Sequence, residues 1–582
     1  MTALALPLAV PLAVRGRLGY WRNVRFSRQT TIFLACLALY LTIGAVLVFG
    51  FSNIMEDALS RVANAQYVLD SRQPKLANVG FVWTPLPSLL MLPFLPLKAL
   101  WPGLIATGFL ACVESAVVMA ASVVVLFNIC SDLGLRRGGR WAIAMLFAVQ
   151  PIVLFYGANG MSEALLILFT LIACRRLLRW LAAEEEDSSR HLVAAGLALG
   201  FGYLARYEVA AAGLGAMVLV GAVTWYRNRL NRADRRARVV GDVLLIGLPV
   251  AVAFVLWAVA SWVIVGHPAE QFTSHYGNSA IIAGAQGASR ATASAKPGLS
   301  LPILQILVLA PLILPVGAVA IWRGVRERKL VILAPLVLFG SVLGFEAAAY
   351  LRGSLFGFLR YQISVVPLFA VLLAVALIPA AKNFEAQHAR RLINGASLRI
   401  RVIQRRLWRL GGGALLATAL LIPGIVTTTY AAMTSYRLAN QEFYHVRPVI
   451  LRLAGGKTND PGADGFFDVD ERVSGDLDRL RLPIGSVLLD AGPGFAVLAA
   501  SHRPRQFVIT SDRDFAGALL DPVGHHIRYF LASARNGGYD AISTQWPKLG
   551  TGVAPLVRLV RNYSSSLPGG HRWSLWQIVE PS

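Results

Sequence analysis

Long apolar runs separated by short basic connectors recur through the first 432 residues of this 582-residue chain. A helix needs roughly 20 apolar residues to cross a bilayer. Runs of that kind lie at about 30–52, 105–129, 140–157, 162–181, 190–205, 207–226, 239–266, 301–322, 330–350, 361–381 and 411–432. Because 56% of all residues are hydrophobic and only 15% are charged, an ordinary soluble enzyme is excluded. The predicted fold class is a polytopic all-α membrane protein with about eleven transmembrane helices.

The distribution of charge predicts the orientation. The net charge is +24, and the excess Arg and Lys residues lie in every second connector, for example at 136–140 and 227–238. Connectors rich in Arg and Lys stay on the cytoplasmic side. We therefore expect a plasma (inner) membrane protein with a cytoplasmic basic N-terminus at 1–29, a cytoplasmic loop at 382–410 and an extracytoplasmic C-terminus. No basic stripe with interleaved aromatic residues is present, so membrane lipids, and not nucleic acids, are the expected partners.

One apolar stretch does not fit the count of spans. Residues 81–101 are apolar but carry four prolines, and counting them as a span would place Arg136 and Arg137 outside. We therefore assign them to a first external loop, 53–104, as a re-entrant or interfacial element of a transmembrane domain covering 30–432. Irregular backbone is tolerated at that depth where it lines a protein cavity.

The composition changes after the last apolar run, and residues 433–582 are mixed polar. Strand-like runs and helical patterns alternate there, which predicts a small extracytoplasmic α/β domain. The expected strands are 486–490, 507–510, 539–543 and 573–579, with helices near 495–501 and 522–533. The segment Asp490-Ala-Gly492-Pro-Gly494 lacks the full glycine spacing of a nucleotide-binding turn and is interpreted as a strand–turn–helix junction.

An acidic pair, Glu56-Asp57, follows the first span directly. Asp57, Arg61 and Asn64 are spaced i, i+4, i+7 and would share one face of a helix. Another face, suited to the membrane interface, carries Leu59, Val62 and Leu69. A carboxylate at this position can accept a proton from a sugar hydroxyl or hold a divalent cation. The alternative is that Asp57 only caps the helix and pairs with Arg61.

Further polar residues are predicted at the same side of the membrane. Glu163 begins the span at 162–181, where it either joins Asp57 in one site or only complements a helix dipole. Scarce cationic and aromatic groups on that side are candidates for binding a lipid-linked phosphate. They are Arg206, Arg352, Arg360, Tyr361 and His275. For the arginines the alternative is snorkelling at the membrane interface, and for His275 a structural role.

The motifs resemble a known family. Glu56-Asp57-Ala58, Arg61-Val-Ala-Asn64 and Thr84-Pro85-Leu86 resemble the first external loop of GT-C glycosyltransferases. The likeness is nearest to bacterial members related to protein O-mannosyltransferases and the lipid A aminoarabinose transferase. Arg360-Tyr361…Pro367 resembles the opening of a late span in those enzymes. Val62 stands where an aromatic residue is usual and Glu56 where Asp is commoner, so the subfamily and the sugar stay open.

The resemblance implies a polyprenyl-phosphate sugar as donor and a hydroxyl of a glycan, lipid or protein as acceptor, with inversion at the anomeric carbon. Asp57 would be the general base or the carboxylate that orients the acceptor, and Glu56 and Glu163 would be further catalytic residues. The cationic and aromatic set would bind the donor phosphate. Arg61, Asn64 and Thr84 would support the loop. Some families of this fold use a divalent cation, here Mg or Mn on Asp57 and Glu163. The alternatives are a transporter or flippase of lipid-linked sugars and a non-catalytic envelope assembly protein.

Overall fold

The computed structural model describes residues 27–182, 189–228, 231–282, 298–327, 330–378, 399–456, 464–533, 539–547, 549, 557–565 and 571–579. Most of the predicted cytoplasmic segments 1–29 and 382–410 lies outside these residues. The helices of the membrane part are α1 (Arg28–Ala45), α2 (Glu56–Asp70), α3 (Leu86–Met91), α4 (Gly103–Ala106), α5 (Phe109–Asp132), α6 (Arg137–Ala148), α7 (Pro151–Tyr156), α8 (Glu163–Ala182), α9 (Ser189–Ala205), α10 (Val209–Arg227), α11 (Arg232–Val265), α12 (Glu270–Thr273), α13 (Ser300–Leu309), α14 (Ile313–Arg326), α15 (Leu333–Leu351), α16 (Val365–Ala376) and α17 (Arg399–Thr434).

Seven helical segments in the described part of the chain are long and apolar enough to cross a membrane, or eight if α13 and α14 form one bent span. The membrane-protein class is thus confirmed, whereas the count of about eleven spans is not. Two of the predicted spans are broken. The run at 140–157 splits into α6 and α7, because Pro151 begins a new helix whose first N–H groups bond to the Gln150 side chain. The run at 301–322 bends by 77° around Pro311, which has no N–H to continue the helix.

The segment rich in prolines forms no span. Residues 86–91 form α3, and Leu92–Ala99 continue as a 3₁₀ helix. Phe94 and Leu97, about half exposed, and Leu100, 85% exposed, project from this end of the loop.

Helix α2 lies inside the protein and not along its surface. Leu59 and Val62 are 2% and 0% exposed, and only Leu69, at 44%, is open. The expectation that these three side chains form a face at the membrane interface is therefore wrong for Leu59 and Val62. The reason is that α2 is covered by α3, α5 and a helix of the C-terminal domain, so its apolar residues have protein neighbours.

The C-terminal domain carries a five-stranded sheet. Its strands are β1 (Val487–Leu489), β2 (Phe507–Ile509), β3 (Tyr529–Ser533), β4 (Val557–Ser564) and β5 (Arg572–Ile578), in the order β2-β1-β3-β5-β4. β1 pairs in parallel with β2 and β3, whereas β5 is antiparallel to β3 and β4. Its helices are α18 (Asn440–Leu453), α19 (Asp468–Arg479), α20 (Ala491–Ala500), α21 (Phe515–Leu520) and α22 (Ala541–Gln545).

Three of the four predicted strands are present, and two segments were assigned wrongly. Residues 529–533 are strand β3 and not helix, because a central strand buried on both faces shows no alternation that would reveal it. Residues 541–545 are helix α22 and not strand, because the Asp540 side chain accepts a hydrogen bond from the Ser543 N–H and starts a helix. The exposed edge strand β4 was not predicted.

The C-terminal domain packs directly on the membrane part. One continuous cluster of buried apolar side chains runs from the membrane helices into β1, β5 and α20. Tyr276, which follows α12 in the chain, lies at the same junction. Its hydroxyl is 2.8 and 3.0 Å from the two carboxylate oxygens of buried Asp490. A Cβ atom at Gly492 would lie 2.3 Å from the Tyr276 ring, so only glycine permits this approach.

Candidate active site

Asp57 lies in the first turn of α2, and its carboxylate faces Arg360. Both terminal nitrogens of Arg360 are 3.1 Å from Oδ2 of Asp57. The N-cap position of α2 is Met55, which makes no side-chain capping bond. Asp57 is therefore neither the N-cap of its helix nor directly paired with Arg61; its ion pair joins α2 to a residue 303 positions along the chain.

Glu163 is the first residue of α8 and is completely buried. Its Oε1 lies 2.8 Å from Nη1 of Arg206 and 3.5 Å from Nη1 of Arg360. Among the described residues its Oε2 has no hydrogen-bond partner. Glu163 thus lies between two guanidinium groups. It therefore does more than complement the dipole of α8.

A glycine places Glu163 close to α2. Gly160 has a φ angle of 81°, which favours glycine over other residues. A Cβ atom there would lie 2.7 Å from the Cβ of Ala111 and 3.0 Å from the Cβ of Ala58. The turn before α8 can therefore pack tightly against both α2 and α5, and this brings Glu163 to the Asp57 end of α2.

The chain of charges continues from Glu163 away from Asp57. Arg206, in the turn between α9 and α10, also forms an ion pair through Nε with Glu208, and buried Glu346 of α15 lies near enough to both to interact with them electrostatically. We call this set the charge network. Its members are Asp57, Arg360, Glu163, Arg206, Glu208 and Glu346. They come from five different parts of the fold.

Arg61 differs from the other two arginines of the site. It is 7% exposed, and its Nη1 lies 4.0 Å from the sulfur of Met161. The backbone carbonyl of Arg61 accepts a hydrogen bond from Ser88 of α3 at 3.0 Å. Within the part of the chain that the structure describes, no carboxylate lies within ion-pair distance of Arg61, whereas Arg206 and Arg360 each contact two.

Asp57 is the most accessible carboxylate of the network. Its side chain is 29% exposed, whereas Glu163, Glu208 and Glu346 are at most 2% exposed. Burial opposes ionisation of Asp57, but the positive charges of Arg360 and Arg61 outweigh it and hold the pKa of Asp57 below its ordinary value. Asp57 is thus an ionised carboxylate that is partly exposed.

Other predicted site residues lie outside this network. Arg352 is exposed at the C-terminal end of α15, as a snorkelling arginine would be. His275 stacks on Tyr539 of the C-terminal domain, with ring centroids 5.4 Å apart. Glu56 is close to Tyr444 of α18.

The remaining predicted residues border the site. Tyr361 is buried and stacks on Phe358 at 5.7 Å between centroids, and the Arg360 guanidinium lies 5.3 Å from each of these two rings. Thr84 is buried just before α3, and Asn64 lies beside Gly80. These three side chains are uncharged and belong to the surroundings of the charge network.

Sequence reasoning did not identify two acidic members of the network, Glu208 and Glu346. Glu346 carried a usable signal, since it is an isolated glutamate inside an apolar run, and ionisable residues within spans mark functional sites. The same signal applies to Glu114 of α5, which lies near Arg61. Glu442 of α18, which accepts a hydrogen bond from Tyr156 at 2.8 Å, gave no such signal because it lies in a mixed polar segment.

The donor set does not fit a divalent cation between Asp57 and Glu163. Arg360 already bridges these two carboxylates, and a metal ion would have to displace or adjoin its positive charge. In the residues that can be described, no group of three or more His, Cys, Asp or Glu side chains is arranged to hold a metal. The chemistry proposed below uses the guanidinium groups and the carboxylate of Asp57.

One family model and several solved structures of known proteins are similar to this chain. Residues 105–264 match the family model described as dolichyl-phosphate-mannose-protein mannosyltransferase. The structure of ArnT from Cupriavidus metallidurans bound to undecaprenyl phosphate aligns with 94% of this chain and 97% of its own, with 12% identity and a TM-score of 0.52. The archaeal oligosaccharyltransferase AglB from Archaeoglobus fulgidus, in complex with an inhibitory peptide and a dolichol-phosphate, aligns with 87% of this chain and 69% of its own, with 10% identity and a TM-score of 0.42.

The comparison with curated protein sequences gives no match. The family model nevertheless coincides with the helices α5 to α11 that surround Glu163 and Arg206, and the ArnT alignment extends the likeness over nearly the whole chain. The chain is therefore a multi-pass membrane protein with the helical fold of the GT-C type seen in ArnT and a small C-terminal sheet domain, and residues 105–264 are similar to the mannosyltransferase family.

Proposed function

We propose that this protein transfers a sugar from a polyprenyl-phosphate donor to a hydroxyl group of a glycan, lipid or protein at the outer face of the plasma membrane. One observation carries the proposal: the partly exposed carboxylate of Asp57 is paired with Arg360 and lies near two further arginines, Arg61 and Arg206. That arrangement places a proton acceptor beside positive charge suited to a phosphate. The ArnT-like fold supports it, since the matching ArnT structure holds undecaprenyl phosphate.

In this proposal Asp57 is the general base. The acceptor hydroxyl loses its proton to the Asp57 carboxylate as its oxygen forms a bond to the anomeric carbon of the donor. The bond from that carbon to the phosphate oxygen breaks on the opposite side, so the anomeric configuration inverts. Arg360 occupies only Oδ2 of Asp57, which leaves Oδ1 for the acceptor. Glu163, fully buried and held by two arginines, positions Arg360 and does not meet the acceptor.

The leaving group is polyprenyl phosphate, which gains negative charge as the bond breaks. A guanidinium group placed at that charge stabilises the transition state. Arg61 suits this task best, because Arg360 and Arg206 are largely neutralised by carboxylates. The buried Nε of Arg360, which has no partner among the described residues, is the second donor that we assign to the phosphate.

The competing functions predict different properties of Asp57. In an assembly protein Asp57 would only cap α2, but the N-cap position is occupied by Met55. In a transporter or flippase Asp57 would matter little to any covalent product. A chemical test that detects the transferred sugar therefore separates the three.

The test uses a strain that lacks this protein and measures its envelope glycans by mass spectrometry after complementation. Wild type, Asp57→Asn and a matched control, Asp132→Asn, are expressed at equal levels. Asp132 ends α5 and pairs with Arg175 and Arg179, at the opposite end of that helix from Gly160 and α2. We expect one sugar residue to be missing with Asp57→Asn and present with Asp132→Asn. A normal glycan with Asp57→Asn would refute the proposed chemistry.

A further inference from the structure

One side of the first external loop carries an exposed row of apolar side chains. In the 3₁₀ helix Leu92–Ala99 and the residue after it, Phe94, Leu97 and Leu100 follow one another at intervals of three and are 52%, 44% and 85% exposed. Side chains three residues apart eclipse one another in a 3₁₀ helix. These three therefore share one face, which we call the apolar row, whereas Leu95, on another face, is 1% exposed.

The apolar row lies at an end of the first membrane span. Trp101 directly follows Leu100 and is 46% exposed, and its ring centroid is 5.5 Å from that of Phe49. Phe49 is the last residue but one of the span Arg28–Gly50. Trp side chains are enriched where spans meet the lipid headgroups. The row is thus placed to contact lipid on the side of the membrane where α2 and the candidate active site begin.

A groove with basic side chains lies beside the same 3₁₀ helix. Lys98, three positions after buried Leu95, lines it together with Asp70 at the end of α2. The other wall is formed by two loops of the C-terminal domain, one before β1 and one, with Arg503 and Arg505, before β2. The volume of the groove is about 380 Å³, which is within the range of small-molecule sites.

Positive charge in the groove is not balanced by acidic groups. Asp70, the only acidic residue among the described residues of the lining, is paired with Lys98. Arg503 and Arg505 are exposed, and no carboxylate of the described structure is within ion-pair distance of either. The nearby Asp478 does not line the groove, and it accepts hydrogen bonds of 2.7 Å from two other side chains. Two guanidinium groups are therefore available to an anion.

The two surfaces together select one class of ligand. Guanidinium groups suit phosphate oxygens, and an exposed apolar row at the end of a span suits acyl chains. A soluble anion would use only the groove, and a neutral lipid would use only the row. An anionic phospholipid uses both, because its phosphate and its chains are adjacent in the same molecule.

We propose that the groove binds the phosphate headgroup of an anionic phospholipid from the leaflet on the side of the candidate active site. Arg503 and Arg505 bind the phosphate, and the acyl chains lie along the apolar row. The lipid joins the first external loop to the C-terminal domain, since both line the groove. It does not reach Asp57, because Asp70 lies 13 residues further along α2, or roughly 20 Å at the rise of an α-helix. The inference is therefore independent of the proposed sugar transfer.

The first test measures binding of dioleoyl phosphatidylglycerol to the purified full-length protein in neutral detergent, from the rise in Tm with lipid concentration. Wild type is compared with Arg503→Gln/Arg505→Gln and with the control Arg558→Gln. Arg558 is exposed on β4, at the opposite edge of the sheet from β2. We expect the control to bind like wild type, and the double variant to have a Kd higher by on the order of tenfold. Equal Kd values for wild type and the double variant would overturn the proposal.

The second test separates a lipid from a soluble phosphate compound. Leu97→Ser/Leu100→Ser keeps the arginines but removes apolar contact, so its Kd for the same lipid should also rise by on the order of tenfold. Inorganic phosphate should not compete with the lipid at millimolar concentration. If this variant binds the lipid as tightly as wild type, or if inorganic phosphate displaces the lipid, the groove does not hold a phospholipid. Dioleoyl phosphatidylcholine should raise Tm equally in wild type and the arginine variant; an unequal rise would contradict recognition by headgroup charge.

Discussion

Arg360 donates both of its terminal N–H groups to a single oxygen of Asp57, Oδ2, at 3.1 Å each. This end-on approach to one oxygen leaves the other oxygen, Oδ1, without a bond to Arg360. At the same time Nη1 of Arg360 lies 3.5 Å from Glu163. The guanidinium therefore neutralises two carboxylates while it leaves one lone-pair region of Asp57 open to a substrate.

Replacement of Arg360 by Gln should reduce both activity and stability. Asp57 and Glu163 would face each other without their shared cation, and loss of one partner of a buried ion pair costs about 3 kcal/mol. We expect transfer to fall by about a hundredfold or more, because the site loses charge stabilisation as well as geometry. The control is Arg352→Gln, since Arg352 is exposed at the end of α15. Envelope glycan analysis and thermal unfolding in detergent measure the two effects; equal behaviour of the two variants would contradict the structure.

The acidic limit of activity should lie below pH 4. A free Asp has a pKa of about 3.9, and in the folded protein Arg360 and Arg61 overcome the effect of burial and lower the pKa of Asp57. The stability that this ion pair contributes is fully present above the pKa of the unfolded chain and is lost as the pH falls through the lower, folded value. Rates of sugar transfer by membrane preparations, measured across pH, test this. A loss of activity centred near pH 6 would exclude Asp57 as the titrating base.

Arg61→Gln should weaken the binding of undecaprenyl phosphate while the protein stays folded. Arg61 is buried and has no carboxylate partner in the described structure, so its charge is available to a phosphate. Loss of a charge-assisted hydrogen bond corresponds to about a tenfold rise in Kd. Undecaprenyl phosphate is added to purified protein, and the increase in Tm is compared between wild type, Arg61→Gln and Arg352→Gln. An undiminished increase with Arg61→Gln would remove Arg61 from the phosphate site.

The burial of Asp490 should make stability depend on pH. Burial raises the pKa of Asp490 to about 6, although N–H groups of Ala541 and Gly492 and the Tyr276 hydroxyl donate to it. The folded protein binds this proton more tightly than the unfolded chain does. The free energy of unfolding should therefore fall by up to about 3 kcal/mol as the pH rises from about 4 to about 6. Asp490→Asn should abolish that fall, as measured by thermal unfolding of the full chain at several pH values. An unchanged pH dependence in this variant would show that other groups dominate.

Gly492→Ala should loosen the same junction. A methyl group at position 492 would overlap the Tyr276 ring, so the loop after α12 must move away from the C-terminal domain. We expect faster proteolytic cleavage within 267–282 in Gly492→Ala than in wild type. Gly241→Ala is the control, because a Cβ there meets nothing within 4 Å. Equal cleavage rates would mean that the ring can shift without releasing the loop.

The sequence contained enough to predict the class of fold and the ends of the helices that build the site. Alternation of basic connectors placed Asp57, Glu163, Arg206 and Arg360 at one side of the membrane, and in the structure all four are in one network. Their pairing could not be predicted, because Asp57 and Arg360 are 303 residues apart and periodicity says nothing about which helix ends touch. For the same reason the sequence could not predict that Arg360 is shared between two carboxylates.

Errors in the C-terminal domain have a different origin. Short strands such as β3 are recognised from alternation, and a strand buried on both faces has none. The burial of Leu59 and Val62 could not be predicted from the sequence either. An amphipathic helix at the membrane interface and one covered by a second domain show the same pattern of apolar residues. Only the contact of α2 with α20 distinguishes them.

The placement of the network at helix ends bears on how the chain enters the bilayer. Glu163 and Glu208 stand at the first turns of α8 and α10, and Arg360 precedes α16. During insertion these groups can stay in the hydrated headgroup layer until their partners arrive, so no isolated ion has to cross hydrocarbon. Glu346 is the exception, because it lies more than one turn inside α15. The insertion of α15 therefore carries this acid into the apolar segment before Arg206 can lie beside it.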